Sequence, residues 1–173
     1  MINGFMCSYT GIVDIIFQRN NEQVKKVTIH NAGLDALFMS VCKALAGYSI
    51  QEDRPVYVDL RKGPFTSDSG TSILSKRVSV SGASYSFDSD LNKWVCKLSA
   101  TISYADILSP AELSSENELR LYLTNGKKTP SDLAYLVLKE EGASSSELES
   151  LKPGTQALIQ WKMCFGNSAV TEE

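Results

Sequence analysis

Apolar and polar residues alternate along much of this 173-residue chain, the pattern of strands with one buried and one exposed face. In KWVCKLSATIS (93–103), the even positions from Cys96 onward are apolar. In TQALIQWKMCF (155–165), the odd positions from Ala157 to Phe165 are apolar or aromatic. Both segments are therefore predicted to be strands of an antiparallel sheet.

Segments rich in β-branched and aromatic residues predict further strands. YTGIVDIIFQ (8–17) and QVKKVTI (23–29) are separated by RNNE, which predicts a hairpin. NELRLYLTNGKKTPSDLAYLVL (117–138) has two apolar runs around a polar turn and predicts a second hairpin. The other predicted strands lie at 55–62, 73–80 and 83–87, which gives about eight strands in all.

One segment has the periodicity of a helix. In HNAGLDALFMSVCKALAG (30–47), the apolar residues recur at intervals of three and four and line one helical face. These residues are Leu34, Leu37, Phe38, Val41, Cys42 and Leu45. Asn31 is predicted to cap the first turn and Gly47 to end the helix. We therefore expect an amphipathic helix over about residues 31–47.

Many strands, short connections and one helix indicate a mainly β fold. We expect an antiparallel β-sandwich of about eight strands, or a barrel, with the helix packed against an end or edge. The chain length suits a single domain, predicted over residues 1–167. Residues 168–173 have no core-forming pattern and are predicted to form a loose C-terminal tail.

Charge and hydropathy narrow the classes of function. The net charge is −3, and the longest basic clusters are pairs such as Lys25-Lys26, so we expect no specific nucleic-acid binding. No apolar run is long enough for a membrane span, and the N-terminus lacks the pattern of a secretory signal. The chain is therefore expected to stay in a cytoplasm, away from membranes.

Residues able to do chemistry are few. His30 is the single histidine, so a Ser-His-Asp, Cys-His or multi-histidine site has little to build from. Asp88 and Asp90 lie in a segment without the glycine and glutamate of a calcium loop, which favours a solvated turn. Glu116 and Glu118 form a weaker acid–base candidate. We expect no enzyme activity, no cofactor and no metal site.

The cysteines, Cys7, Cys42, Cys96 and Cys164, lie too far apart for the spacing of a zinc site. We expect reduced thiols that act mostly as small core hydrophobes. Spacing alone leaves a disulfide between distant strands open.

Three features, in this order, resemble a known family. They are the Asn-x-Gly-Leu helix start in IHNAGLDALFMSVCKALAG, the strand NELRLYLTNG followed by LAYLVL, and the closing strand ALIQWKMCFGN. They are similar to small β-sandwich structural proteins of tailed bacteriophages, found among tail, neck and fibre-associated components. The residues that carry the resemblance are Asn31, Gly33, Glu118, Leu119, Leu121, Tyr122, Leu133, Ala134 and Trp161. Arg120 stands where the family commonly has glycine, and residues 48–92 lie outside the resemblance.

The resemblance implies a non-enzymatic virion structural protein, assembled in the cytoplasm of the bacterial host. Its role would be that of a homo-oligomeric ring, collar or tail-accessory subunit of the neck or tail. The implied partners are copies of itself in a ring and other virion proteins of the neck, tail or capsid. A capsid decoration or fibre-adaptor protein is the alternative within this class. The predicted interface residues lie on the 117–138 hairpin and are Tyr122, Lys127, Lys128 and Tyr135.

A carbohydrate-binding β-sandwich module is an alternative from another class. Such modules present exposed aromatic side chains on one sheet face. Tyr122 and Tyr135 are expected to face the same way across the hairpin, with Tyr104 nearby. Packing in the core or at an interface explains these residues, and Trp94, more simply, so assembly is the preferred hypothesis.

Overall fold

The computed structural model describes residues 6–63, 65, 73–103, 119–127, 131–138 and 154–168. These residues form nine strands and one helix. The strands are β1 (Met6–Arg19), β2 (Glu22–Gly33), β3 (Pro55–Lys62), β4 (Ile73–Ser79), β5 (Gly82–Asp88), β6 (Lys93–Ser103), β7 (Leu119–Asn125), β8 (Asp132–Val137) and β9 (Gln156–Ser168). The helix α1 (Asp35–Leu45) lies between β2 and β3.

The described strands form one antiparallel sheet in the order β4-β3-β7-β8-β2-β1-β9-β6-β5. We call β4, β3, β7 and β8 the β4 half, and β2, β1, β9, β6 and β5 the β5 half. The halves are joined at the end of β2, where Ala32 pairs with Tyr135 and Gly33 with Ala134. The sheet curls into a half-barrel, and its edge strands β4 and β5 are linked in the chain by Val80 and Ser81.

One hydrophobic core fills the concave side of this curled sheet. The β5 half contributes Val13, Ile15, Ile159 and Trp161, among others. The β4 half contributes Val58, Leu60, Leu121 and Leu123. Each large apolar side chain that is fully buried contributes about 1.5–3 kcal/mol. Because both halves supply the same core, the curl of the sheet is what removes these side chains from water.

The hairpin of β1 and β2 is confirmed, with strands longer than predicted. Asn20 and Asn21, between the strands, have φ angles of 52° and 64°. Two consecutive residues with positive φ match the twist of a two-residue hairpin turn, and asparagine tolerates this region better than most residues. The RNNE segment is therefore the turn that the sequence predicts.

Helix α1 is shorter than the predicted 31–47. Asn31 is not its cap but lies in β2, where its side-chain amide donates a hydrogen bond of 3.1 Å to the Tyr9 hydroxyl. The helix is preceded by Leu34, which makes no side-chain capping bond. Gly47 has φ 78°, the left-handed geometry expected just past a helix end. Among the described residues, no helix is long and apolar enough to cross a membrane.

The predicted fold class is confirmed in its coarser terms: mainly β, antiparallel, with one helix. The β-sandwich is not confirmed, because the described strands make one sheet that continues through β2 instead of two separate layers. The described strands number nine, whereas about eight are predicted. The predicted tail at 168–173 begins with Ser168, the last residue of β9, and the rest of it lies outside the described residues.

Candidate functional site

A row of aromatic residues crosses the β5 half. Tyr9 of β1 lies opposite Phe165 of β9. Phe165 in turn lies opposite Trp94 of β6, and Trp94 lies opposite Phe87 of β5. Further along the same strands, this face of the sheet forms the hydrophobic core. The row therefore continues the core to the edge of the sheet.

The two residues of this row nearer the edge, Trp94 and Phe87, are more exposed than the two further in. Tyr9 and Phe165 are half-buried against the core, with ring centroids 5.6 Å apart. Trp94 is 56% exposed and Phe87 51% exposed. Tyr85, on the same face of β5, is 80% exposed. We call Tyr85, Phe87 and Trp94 the aromatic rim, and clustered exposed side chains of this size mark contact sites in soluble proteins.

The rings of the aromatic rim contact one another at steep angles. The Phe87 and Trp94 centroids are 5.7 Å apart with the rings at 68°, and those of Tyr85 and Trp94 are 6.3 Å apart at 40°. Ring quadrupoles favour such arrangements over flat stacking. The rim is therefore an uneven apolar surface with its rings in different planes, a shape that complements protein side chains better than a flat ligand.

The edge strand that carries the rim has no charged residue before its last position. Gly82 to Phe87 are all exposed and all uncharged, and Asp88 ends the strand. Among the described strands, β5 pairs only with β6, and this pairing has no register shift. Edge strands of monomeric proteins usually carry charges, prolines or bulges that prevent a further strand from adding. β5 has none of these from Gly82 to Phe87.

The β4 half carries a second aromatic cluster, on the face turned away from the core. Tyr122 and Tyr135 lie opposite each other on β7 and β8, and their rings stack with centroids 5.8 Å apart. The guanidinium of Arg61 lies 4.2 Å from the centre of the Tyr122 ring, and that of Arg120 lies 5.2 Å from the Tyr135 ring. Tyr122 is fully buried and Tyr135 half-buried, so both rings are packed within the chain.

Two carboxylates, Asp59 and Asp132, bind Arg61 of this cluster and the nearby Arg77, which makes a network of two acidic and two basic groups. The fully buried Asp59 accepts two hydrogen bonds of 2.7 Å from Arg77 and one of 3.0 Å from Arg61. Asp132 accepts two more from Arg61, at 2.8 and 2.6 Å. Burial alone would lower the pKa of Arg61, but the bonds to Asp132 and Asp59 outweigh it and raise the pKa above its ordinary value. The network is charge-balanced, which is typical of a structural role.

Of the predicted interface residues, those that the structure describes contact other parts of the same chain. Tyr122 and Tyr135 stack on each other in the second aromatic cluster described above, beside Arg61 and Arg120. Lys127 lies 2.6 Å from Asp53, which also binds Lys43 of α1 at 3.0 Å. Hydrogen bonds from Lys127 first and Lys43 second lower the pKa of Asp53. Lys128 lies outside the described residues.

Of the predicted chemical candidates, the structure describes His30, which lies on β2, and Asp88 and Asp90, which lie together at the end of β5 and the turn after it. His30 is on β2, opposite Ile12 of β1. Asp88 accepts hydrogen bonds of 3.0 Å from the backbone N–H groups of Asp90 and Leu91, as in a side-chain-capped turn. Glu116, Glu118 and Tyr104 lie outside the described residues. Within the described part of the chain, no group of three or more His, Cys, Asp or Glu residues could hold a metal ion.

Cys42, Cys96 and Cys164 are free cysteines in the described structure. Cys96 is half-buried and Cys164 fully buried, as expected of core residues, whereas Cys42 is exposed. Burial raises the pKa of the Cys96 and Cys164 thiols, which keeps them protonated and poorly nucleophilic. Cys96 and Cys164 are therefore packing groups, and nothing is described of the Cys7 side chain.

The aromatic rim is the site that the sequence pattern does not identify. Trp94 has the spacing of a core residue, and core packing is the role predicted for it, yet it is exposed. A usable signal lies in GASYSFD (82–88), where aromatic residues alternate with serine and no charge interrupts them. That pattern is unusual for an edge strand, but only the strand order reveals that β5 is an edge.

Comparison of the chain with protein-family models, with curated proteins and with solved structures found no match. Evidence about function therefore comes from the chain's own residues. Among these, the aromatic rim beside the uncharged edge of β5 is the largest group of exposed aromatic side chains in contact with one another in the described part of the chain.

Proposed function

We propose that this protein is a non-enzymatic structural subunit that works by assembling with other protein chains, copies of itself included. The observation that carries the proposal is the aromatic rim, exposed beside an uncharged edge strand. Removing apolar surface from water is favourable by about 25 cal/mol per Å². An edge strand next to such a surface adds unpaired backbone groups that another chain can satisfy.

The buried carboxylates support a structural role. Asp14 of β1 accepts hydrogen bonds of 2.7 Å from both Thr28 and Lys162, and it pairs with Lys26 at 3.1 Å. Burial would raise the pKa of Asp14, but these bonds together lower it below its ordinary value. A general acid or base works best with a pKa near the working pH. Asp14, like Asp59 in its arginine network, is suited to holding strands together.

The virion setting comes from the sequence resemblance to phage tail, neck and fibre-associated proteins. We propose a homo-oligomeric ring, collar or tail-accessory subunit of the neck or tail, with a capsid decoration or fibre-adaptor protein as the alternative. Assemblies of this kind repeat one contact between many copies. The rim and edge of β5 are a surface suited to such a contact.

Carbohydrate binding is the second candidate function, favoured by the exposure of Tyr85, Phe87 and Trp94. Sugar rings stack on flat aromatic faces, whereas the rim rings are inclined at 40° and 68° to one another. Tyr122 and Tyr135, the predicted platform, are packed under arginine side chains. Assembly is therefore the better supported function. Specific binding on a glycan array that disappears in a folded Trp94→Ala variant would reverse this ranking.

Size-exclusion chromatography with light scattering tests the proposal on the intact chain. We expect the wild-type protein to have a mass of two or more times the 19.0 kDa of a single chain. The double variant Phe87→Ser, Trp94→Ser should become monomeric, because it loses the apolar contact surface. Val24→Ser is the matched control, since Val24 is also exposed but lies on β2, away from the rim.

A wild-type protein that stays monomeric at its highest soluble concentration would contradict assembly with itself. Absence of the chain from purified virus particles by mass spectrometry would contradict the virion setting. The two results are independent, because a self-assembling protein need not be part of a virion.

A further inference from the structure

We infer, on the basis of the proposed function, that β5 pairs antiparallel with β5 of a second copy of this chain. The two-fold axis of this pairing would pass beside Tyr85, the middle residue of Gly82–Asp88. The partner at this surface is then another copy of the same chain, and the contact is one continuous sheet across both copies.

The outer edge of β5 is available for such a pairing. One edge of β5 bonds to β6 from Gly82 to Asp88. No other described strand pairs with it, and Gly82 to Phe87 are all exposed. The regular register with β6 means that no bulge disturbs the strand, so its outward N–H and C=O groups are spaced to meet a partner strand.

The sequence of β5 is complementary to itself in this arrangement. Tyr85 would lie opposite the partner's Tyr85, and Ala83 opposite the partner's Phe87. Small Ala83 leaves room for the large ring of Phe87, a favourable cross-strand combination. On the other face, Ser84 would lie opposite the partner's Ser86. The charged residue of the strand, Asp88, would face the partner's Gly82, so no like charges oppose each other.

The pairing also buries the aromatic rim. Tyr85 and Phe87 share a face of β5 with Trp94 across the hairpin. When two β5 strands join, the rims of both copies meet on that face and form one apolar cluster. Backbone hydrogen bonds then set the register, while burial of the rings drives association.

The other sheet edge, β4, is a poorer partner for β5. It carries Lys76 and Arg77, and Arg77 is held by Asp59. Its pairing with β3 has a register shift between Leu60 and Arg61, which bends the edge. A head-to-tail ring through β4 and β5 would therefore join a charged, irregular edge to an uncharged, regular one. A two-fold contact closes at two copies, so a larger ring would consist of dimers joined by a second contact.

Cysteine cross-linking tests the register while keeping the whole rim. In chains in which the exposed Cys42 is replaced by serine, Ser84→Cys and Ser86→Cys are made separately and then mixed. Residues directly opposite across antiparallel strands have Cα atoms about 4.5–5.5 Å apart, which suits a disulfide. Positions 84 and 84, or 86 and 86, are diagonal in this pairing and about 7–8 Å apart, too far for a disulfide.

We therefore expect mild oxidation of the mixture to link the two different chains, and either chain alone to remain largely unlinked. Mass spectrometry of the linked peptides identifies the positions joined. Equal linking in the mixture and in each chain alone would contradict the two-fold axis at Tyr85.

A charge substitution tests the same axis without oxidation. Tyr85→Lys would place like charges opposite each other and remove rim surface, so the dissociation constant of the dimer should rise about tenfold or more. Val24→Lys, at another exposed apolar position, should leave it unchanged. If the wild-type protein is oligomeric but Tyr85→Lys keeps its mass and the thiols do not link, this pairing is wrong and the proposed assembly function stands. If the wild-type protein is a monomer at its highest soluble concentration, the proposed assembly of this chain with itself fails, and this pairing fails with it.

Discussion

The two halves of the sheet place aromatic side chains in opposite environments. In the β4 half, Tyr122 and Tyr135 stack under arginine side chains, and Tyr122 is fully buried. In the β5 half, Tyr85 and Trp94 lie where the described sheet ends, and both are mostly exposed. The same residue types are therefore packed within the chain in one half and available to a partner in the other. Position relative to the sheet edge makes the difference.

The two edge strands differ in the same way. β4 carries Lys76 and Arg77, and its pairing with β3 is irregular. β5 is uncharged from Gly82 to Phe87, and its pairing with β6 is regular. Charges and bulges on edges oppose the addition of further strands. Of the two end strands of the described sheet, β4 is therefore protected and β5 open, and we expect β5 to be the end strand that pairs with another chain.

The largest expected effect on stability comes from replacing Asp59, the buried carboxylate that binds Arg61 and Arg77. Asp59→Ala leaves Arg61 and Arg77 without their buried partner and should lower the free energy of unfolding by about 3–5 kcal/mol. Urea denaturation measures the loss. Asp88→Ala, which removes only an exposed turn cap, should cost about 1 kcal/mol. Similar losses in both variants would mean that the buried network does not hold the β4 half together.

Two aromatic variants distinguish a ring that packs within the chain, Tyr122, from a ring that is available to a partner, Trp94. Tyr122→Ala should lower the free energy of unfolding by about 3 kcal/mol or more, because the ring is fully buried. Trp94→Ala should lower it by less than about 1 kcal/mol, because most of that ring is exposed in the single chain. Unfolding is measured in dilute solution, where assembly contributes least. Light scattering at high concentration should show the opposite order for assembly. Trp94→Ala should form fewer oligomers than Tyr122→Ala, when both variants are folded.

The pH dependence of stability tests Asp14, the buried carboxylate of the β5 half. Its pKa in the folded chain lies below the ordinary value of 3.8, so its stabilising effect is present above that value and is lost as the pH falls through the folded pKa. At pH 7 the wild-type protein should exceed Asp14→Asn by about 1–3 kcal/mol in free energy of unfolding. The gap should begin to narrow below about pH 4 and go on narrowing as the pH falls through the folded pKa. Urea denaturation at several pH values measures it, and a gap that does not narrow at all between pH 7 and the lowest pH at which the protein folds would contradict the assignment.

The smallest effect is spectroscopic and uses the chain's two tryptophans. Trp161→Phe leaves Trp94 as the only tryptophan, and acrylamide should quench it efficiently in dilute solution. Quenching should weaken at concentrations where the chains assemble, because the rim is then covered. Trp94→Phe leaves the fully buried Trp161, which should be poorly quenched at every concentration. Equal quenching of Trp94 in dilute and concentrated samples would place the contact elsewhere.

The sequence is most informative where the signal is local. The alternation around Trp161 predicts β9, and the paired asparagines between β1 and β2 mark a tight turn. The sequence is less informative at Asn31, which has the chemistry of a helix cap but lies in a strand, bonded to Tyr9. Nothing near Asn31 in the sequence reveals that bond, because it joins residues on neighbouring strands of the folded sheet.

The predicted interface shows the same limit. Tyr122 and Tyr135 have the spacing of a hairpin pair, and they do lie opposite each other. Tyr122 is covered by Arg61, which comes from β3, far away in the sequence. The exposure of Trp94 likewise depends on β5 being the last strand of the sheet. Local pattern predicts that a residue lies on a strand face, and tertiary neighbours decide whether anything covers that face.

The period of apolar residues predicts a mainly β chain that includes a helix, because it reflects the direction of successive side chains along a strand or helix. The sequence also indicates that the residues able to do chemistry are few. The same period does not predict that the described strands form one curled sheet, that β5 is an end strand of it, or that Trp94 is exposed. Burial depends on pairings such as that of Tyr9 with Phe165, which join distant parts of the chain.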